Sequence, residues 1–276
     1  MDMYIKKTFK RAYDLLIKYW KNMIVYIVPS LLSLAVYSIL AVIMYFGVYL
    51  GTFLSIIFPL FLLLSIPIGV IFLVIFIAAT SFIETMHNRI VYLTSNETDI
   101  PLKKSSLFSL LDYAGENFLQ FFKLNIINYG IAFAIALIFG IVGYVLIFNL
   151  QFPTNLIFLI PLLILMVIVS IVFGSITHTA VILFFMENEK KGVLALLRMG
   201  WELFSQNILE YILLYLAYLP LGFIYLSLIL AFLSTFLCFF SYFVPILHFF
   251  FIFYTRLVMF VFVNFLRSKK SIGKKE

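Results

Sequence analysis

Ionisable side chains set inside long apolar runs are where chemistry is to be sought in this sequence: Glu84, His178, Glu210, His248 and Arg256. A charge in hydrocarbon costs at least a few kcal/mol unless it is paired, hydrated or able to reach the interface, so such residues mark functional positions by default. Arg256 is the deepest, standing well before Arg267, the next charge in the chain. Thr80-Ser81, Thr177-His178 and Thr255-Arg256 fall at equivalent places in three apolar segments. The spacing predicts an intramembrane polar layer in which Glu84 pairs with Arg256, while His178 and the threonines line the same pocket. The competing expectation is structural: a buried ion pair, with Ser and Thr hydroxyls bonded to backbone carbonyls four residues back.

Catalytic patterns are missing. No Asp falls inside an apolar run, which argues against an intramembrane aspartyl protease, and no G-x-S-x-G elbow occurs. His87, His178 and His248 lack the i, i+4 spacing of a helical metal site, and no Cys/His pattern accompanies them, so neither metal nor cofactor is expected. The one cysteine, Cys238, can form no intramolecular disulfide and reads as a small apolar residue. A non-enzyme is expected. A lipid-modifying enzyme, the third-ranked reading, would require a convergent acid, base or nucleophile set near the headgroup level, for which Glu84, His87 and Arg89, clustered at the inner end of one span, are candidates.

The elements that must position these groups follow from charge. Residues 22–83 and 124–186, runs of 62 and 63 residues, contain no charged side chain. At about 1.5 Å per residue and a hydrocarbon core of about 30 Å, each holds at least two crossings. With 65% apolar and 11% charged residues and a mean hydropathy of +1.17, the chain lies far outside the soluble balance. The expected fold is an all-α polytopic membrane protein with six transmembrane helices, at 23–45, 56–82, 124–148, 156–186, 208–235 and 242–266. Turns are expected at Gly47, Gly51, Thr52 and Ser55, at Asn149, Gln151, Pro153 and Asn155, and near Cys238 and Ser241. The first apolar stretch is too long for a signal-peptide core, so no cleaved signal is read.

All Lys, Arg, Asp and Glu then fall on one side of the membrane or close to it, and the positive-inside rule makes that side cytoplasmic, so that both termini are cytoplasmic in a protein of the inner (plasma) membrane. Each pair of spans is preceded by a segment patterned as an amphipathic surface helix: 4–20, with Ile5, Phe9, Ala12, Tyr13, Leu16 and Trp20 on one stripe; 106–122, with Leu107, Leu111, Ala114, Phe118 and Phe121, capped by Ser105 or Ser106; and 193–204, with Leu194, Leu197, Trp201 and Phe204. Asn22, Asn125 and Asn207 follow these stripes at matching offsets. The apparent unit, surface helix plus transmembrane hairpin, recurs as three parallel repeats within a single transmembrane domain, at about 1–98, 99–186 and 187–276.

The stretch MENEKKGVLALLRMGWELFSQN (186–207), with the apolar run after it and the similar entry at 9–27, resembles a broad prokaryotic group. That group comprises uncharacterised six-span proteins and the membrane domain attached to some glycerophosphoryl diester phosphodiesterases. The resemblance implies the six-span fold and a membrane location. It does not imply phosphodiesterase activity, which in that group belongs to a separate soluble domain.

The net charge of +7 is concentrated in Lys6, Lys7, Lys10, Arg11, Lys18 and Lys21 and in Arg267, Lys269 and Lys270 with the tail after them. These abut the bilayer, so anionic lipid headgroups rather than nucleic acid are the expected partners. The reading that follows is a structural, lipid-interacting or partner-supporting membrane protein, with a protein partner or a second copy left open. A transporter or permease component passing a small or amphipathic solute through the polar layer is the runner-up.

Overall fold

The computed structural model describes residues 2–57, 60–101, 103–149, 154–187, 191–234 and 243–272. Among them are eight helices and no strand: α1 (Asp2–Lys18), α2 (Trp20–Ile57), α3 (Leu60–Ser95), α4 (Lys104–Asn149), α5 (Thr154–Met186), α6 (Val193–Gln206), α7 (Ile208–Ser234) and α8 (Phe243–Ile272). Six helices, α2, α3, α4, α5, α7 and α8, are long and apolar enough to cross a membrane. Pro29, Pro161 and Pro220 lie inside α2, α5 and α7, positions that bundle neighbours make tolerable in lipid.

Several boundaries differ from expectation. Gly47, Gly51, Thr52 and Ser55 make no turn, because α2 runs through them to Ile57. A glycine-and-serine stretch that breaks a helix in water need not do so where no water competes for the backbone. The 106–122 segment is not a separate surface helix either. It is continuous with its span in α4, which starts at Lys104, so Ser105 and Ser106 lie in the first turn rather than capping it. The first and third surface segments do end, at Tyr19 and Asn207. The expected turns at 150–153 and near Cys238 and Ser241 lie outside the described residues.

The chain divides into two compact units, Met1–Phe122 with Leu213–Glu276, and Lys123–Ile212. In the first, α2 pairs with α3, and α1 packs on α8, α2 and α3. Its core joins Ala12, Leu15 and Leu16 of α1, Val25 and Tyr26 of α2, Ile83, Ile90 and Val91 of α3, and Phe253, Leu257, Val258 and Phe260 of α8. Burial is confined to the charged ends of these helices: none of the described side chains at 34–47 or 69–76 is buried. In the second unit α6 packs on α5 through Leu196, Gly200, Leu203 and Phe204 against a buried run from Ala180 to Phe185. A Cβ on Gly200 would stand 2.6 Å from the Ile176 carbonyl oxygen, so only glycine allows this approach. Here too burial ends abruptly: no described side chain at 126–148 or 157–174 is buried.

Candidate functional site

Around Arg256, about two turns inside the limit of burial in the first unit, three helices bring polar groups together. The Arg256 guanidinium donates Nη1 to Asn88 Oδ1 at 3.2 Å, and Nη2 stands 3.8 Å from Glu84 Oε1. Both charged side chains keep about a quarter of their surface, 27% each. Glu84 and Asn88 are one turn apart on α3, which is why one guanidinium reaches both. One residue away on α3, His87 is buried, stacks on Tyr26 of α2 with ring centroids 4.3 Å apart, and shares a 2.9 Å hydrogen bond with Ser30. The Tyr26 hydroxyl is fully buried and has no hydrogen-bond partner among the described residues.

The expected Glu84–Arg256 pair is thus present as a loose contact, with Asn88 as a second partner that sequence reading missed. Thr80 and Ser81 are buried, but their hydroxyls donate to carbonyls of their own helix, Thr80 to Phe76 and Ile77 and Ser81 to Ile77 at 2.6 Å. Thr255 does the same to Ile252, and its carbonyl accepts from Tyr218 of α7. Thr177 and His178 belong to the second unit. Thr177 is buried and bonds back to Phe173 and Gly174, whereas His178 is exposed. His248 pairs with the Tyr225 hydroxyl across α7 and α8.

Glu84, His87 and Arg89 do not converge as an acid, base and nucleophile set would have to. Glu84 turns to Arg256, His87 to Tyr26 and Ser30, and Arg89 lays its guanidinium over the Tyr113 ring at 4.2 Å. Among the described residues no group of three His, Cys, Asp or Glu could hold a metal ion.

A second polar cluster ties the charged end together. Asn22, fully buried, donates to Thr94 Oγ1 at 3.0 Å and to the Thr98 carbonyl at 2.8 Å, and accepts from the Ile100 amide at 2.8 Å. This clamps the chain leaving α3. There the Thr98 amide bonds back to the Leu93 carbonyl and the Glu97 amide to Thr94, a Schellman cap with Glu97 at φ 59 in the position glycine usually fills. Glu97 reaches Arg11 at 2.9 Å and Lys18 at 3.1 Å on α1. The Lys18 hydrogen bond and charge, and then Arg11, hold its carboxyl below the usual range. The Asn22 signal was visible as a polar residue opening an apolar run; the partner that it holds was not.

Of the residues expected at headgroups, Lys6, Lys7, Lys10 and Lys21 are exposed, and Arg11 and Lys18 face Glu97. Lys269 is exposed near the Tyr4 ring, Arg267 is half-buried, and the side chain of Lys270 lies outside the described residues. The expected apolar stripes are also redrawn. Tyr13, Trp20, Leu194 and Trp201 point outward, and the inward faces are Thr8, Ala12, Leu15 and Leu16 on α1 and Leu196, Gly200 and Leu203 on α6. No protein-family model matches this chain, and no curated protein and no solved structure matches it.

Proposed function

We propose that this is a non-catalytic, lipid-interacting protein of the inner membrane, with both termini cytoplasmic, whose surface segments form a collar on anionic headgroups and support membrane organisation or a partner complex. The observation that carries this reading is where the packing lies: α1 is seated on α2, α3 and α8 at their charged ends, with Lys6, Lys7, Lys10 and Lys21 turned outward. Anionic lipid attracts each such cation by about 1 kcal/mol near the surface.

The same geometry bears on depth. Charge-free helix from 60 to 83 is about 36 Å long at about 1.5 Å per residue, enough for a hydrocarbon core of about 30 Å. Glu84, and with it Arg256, would then stand at the inner edge of the hydrocarbon, within reach of headgroups. Transport through the polar layer receives less support, since the hydroxyls of Thr80, Ser81, Thr177 and Thr255 are returned to their own helices. The three-repeat layout, with its resemblance to the membrane domain of glycerophosphoryl diester phosphodiesterases, belongs to this proposal and fits a scaffold.

Purification in native lipid with mass spectrometry of co-purifying lipids and proteins tests the reading, together with thermal stability in phosphatidylcholine vesicles with and without phosphatidylglycerol. Enrichment of anionic lipid and a salt-sensitive stabilisation, weakened in Lys6→Gln/Lys7→Gln/Lys10→Gln, are expected. No specific lipid or partner, together with measurable solute flux in liposomes, would overturn it.

A further inference from the structure

We infer that α1, the first half of α4 and α6 each carry a second apolar face, and that these faces insert into the boundary between headgroups and acyl chains of the charged-side leaflet. The inference rests on the proposed lipid-interacting role and adds which side chains enter the bilayer. On α1, Tyr13 and Ile17 are 55% and 56% exposed, and Trp20, the first residue of α2, is 52% exposed. On α6, Leu194 and Trp201 are 77% and 52% exposed. Phe108, Leu111 and Leu119 are exposed on α4.

These are not scattered apolar residues. At 3.6 residues per turn, passing round each helix in the same sense meets three faces in one order. On α1 the order is Leu15, Ala12 and Leu16 buried, then Tyr13 and Ile17 exposed, with Lys6 on the same side nearer the N-terminus, then Lys10, Asp14 and Lys7; Trp20, also exposed, opens α2 just past the break at Tyr19. On α6 it is Leu203, Leu196 and Gly200 buried, then half-buried Leu197 and exposed Trp201 and Leu194, then Arg198 and Glu202. On α4 it is Leu110, Phe121 and Ala114, then Leu111, Phe108 and Leu119, then Asp112 and Glu116. A helix held only by its protein contacts needs one apolar face. A second one, wedged between the buried and charged faces, is what a helix needs when it lies in the membrane surface with its charges toward water.

The occupant is lipid rather than protein for two reasons. Exposed Lys6 continues the α1 stripe toward the N-terminus, exposed Lys10 lies along its edge and exposed Lys21 follows at the start of α2, a charge pattern complementary to anionic headgroups. The stripe also leads through Trp20 into the exposed apolar face of α2, where Val28, Leu31 and Leu32 follow. Aromatic Tyr and Trp are the side chains favoured at that depth.

The chain has two tryptophans, both exposed: Trp201 sits on the α6 stripe, and Trp20 adjoins the α1 stripe at the start of α2. Trp201→Phe and Trp20→Phe therefore give two single-tryptophan proteins. Each is reconstituted in vesicles of phosphatidylcholine with phosphatidylglycerol, and its emission is quenched either by lipids brominated near the top of the acyl chain or by aqueous iodide. Strong bromolipid quenching, at least about twofold, with iodide accessibility several-fold below that of free tryptophan, is expected for both. Iodide quenching without bromolipid quenching would place the stripes in water and overturn the inference. Quenching by neither would mean that a second copy or a protein partner covers them, which overturns it equally. Repeating the measurement in phosphatidylcholine alone separates the two proposals: insertion that persists with no stabilisation by anionic lipid sinks the headgroup role and leaves insertion standing, while stabilisation by anionic lipid with iodide-accessible tryptophans does the reverse.

Discussion

Replacing Asn22 by alanine isolates the clamp that closes the charged end. Three hydrogen bonds disappear, but they are not equal in consequence. Thr94 Oγ1 keeps its own bond to the Ile90 carbonyl at 2.8 Å, so it loses little. The Thr98 carbonyl is partly buried and recovers some hydration, whereas the Ile100 amide is buried with Asn22 Oδ1 as its acceptor. One stranded amide at about 1–3 kcal/mol, plus a partly compensated carbonyl, gives an expected cost of about 2–4 kcal/mol. That is a large part of a typical folding stability of about 5–15 kcal/mol.

Asn207→Ala supplies the comparison. This residue stands at the matching sequence offset, yet its side chain only donates to Leu203 in the preceding turn, so its loss should cost about 1 kcal/mol or less. Reversible unfolding in mixed detergent micelles, with hydrogen exchange at the Ile100 amide, reads both effects. Equal costs for the two variants, or unchanged exchange at Ile100 in Asn22→Ala, would refute the clamp.

Gly200→Ala should destabilise the α5–α6 contact by about 1–3 kcal/mol through overpacking, net of a helix-propensity gain of about 1 kcal/mol, because the new Cβ meets backbone atoms that cannot turn aside. Gly115→Ala, with nothing within 4 Å, should instead stabilise, and the sign of the difference is measurable by thermal unfolding. For this pair, about a quarter exposed on each side, Arg256→Ala should cost more than Glu84→Gln, about 1–2 kcal/mol against less than about 1, since the first also strands Asn88 and leaves a carboxylate without its cation; the opposite order would mean that Glu84 serves another partner. Glu97, whose folded-state pKa lies below its ordinary value near 4.5, contributes stability that is present above that value and lost as pH falls through the lowered one. The gap in thermal midpoint between the parent protein and Glu97→Gln should therefore be seen at pH 7, shrink in salt, and close in acid. Glu97→Gly, relieved of its left-handed backbone, should overtake the parent there.

What was legible in the sequence was what hydropathy alone decides. Two long charge-free runs demanded hairpins, and six helices of sufficient length and apolarity are found. The contact between Glu84 and Arg256 was also legible, because an unpaired charge in an apolar run needs a partner and few were on offer. Asn88 was hidden by lying outside the assumed layer, and Asn22 by the fact that its partners are mostly backbone groups, which carry no sequence signal. The stripes were undivided for a different reason. An apolar position on a helix at a membrane surface has two possible destinations, protein or lipid, and periodicity counts both as one face. Tyr13 shares its stripe with buried Ala12 and Leu16, and Trp201 with buried Phe204, yet Tyr13 and Trp201 face outward.

That ambiguity also explains where the packing stops. In water, helices with exposed sides like 34–47 or 157–174 would be driven together, but lipid tails are as apolar as the side chains and supply no such force. Tight contacts then arise only where something other than apolarity selects them. In this chain those selections are specific: the Asn22 clamp, the Glu97 bridges to α1, the Arg256 fork, and the glycine at 200 that lets two backbones meet. All except the Arg256 fork lie at charged ends outside the purely apolar lengths, and burial runs about two turns past the fork, to Ile77 on α3 and Phe249 on α8, before it stops. A substitution in the apolar lengths that preserves hydropathy should therefore be nearly silent for stability, while a conservative change at any of these four positions should not.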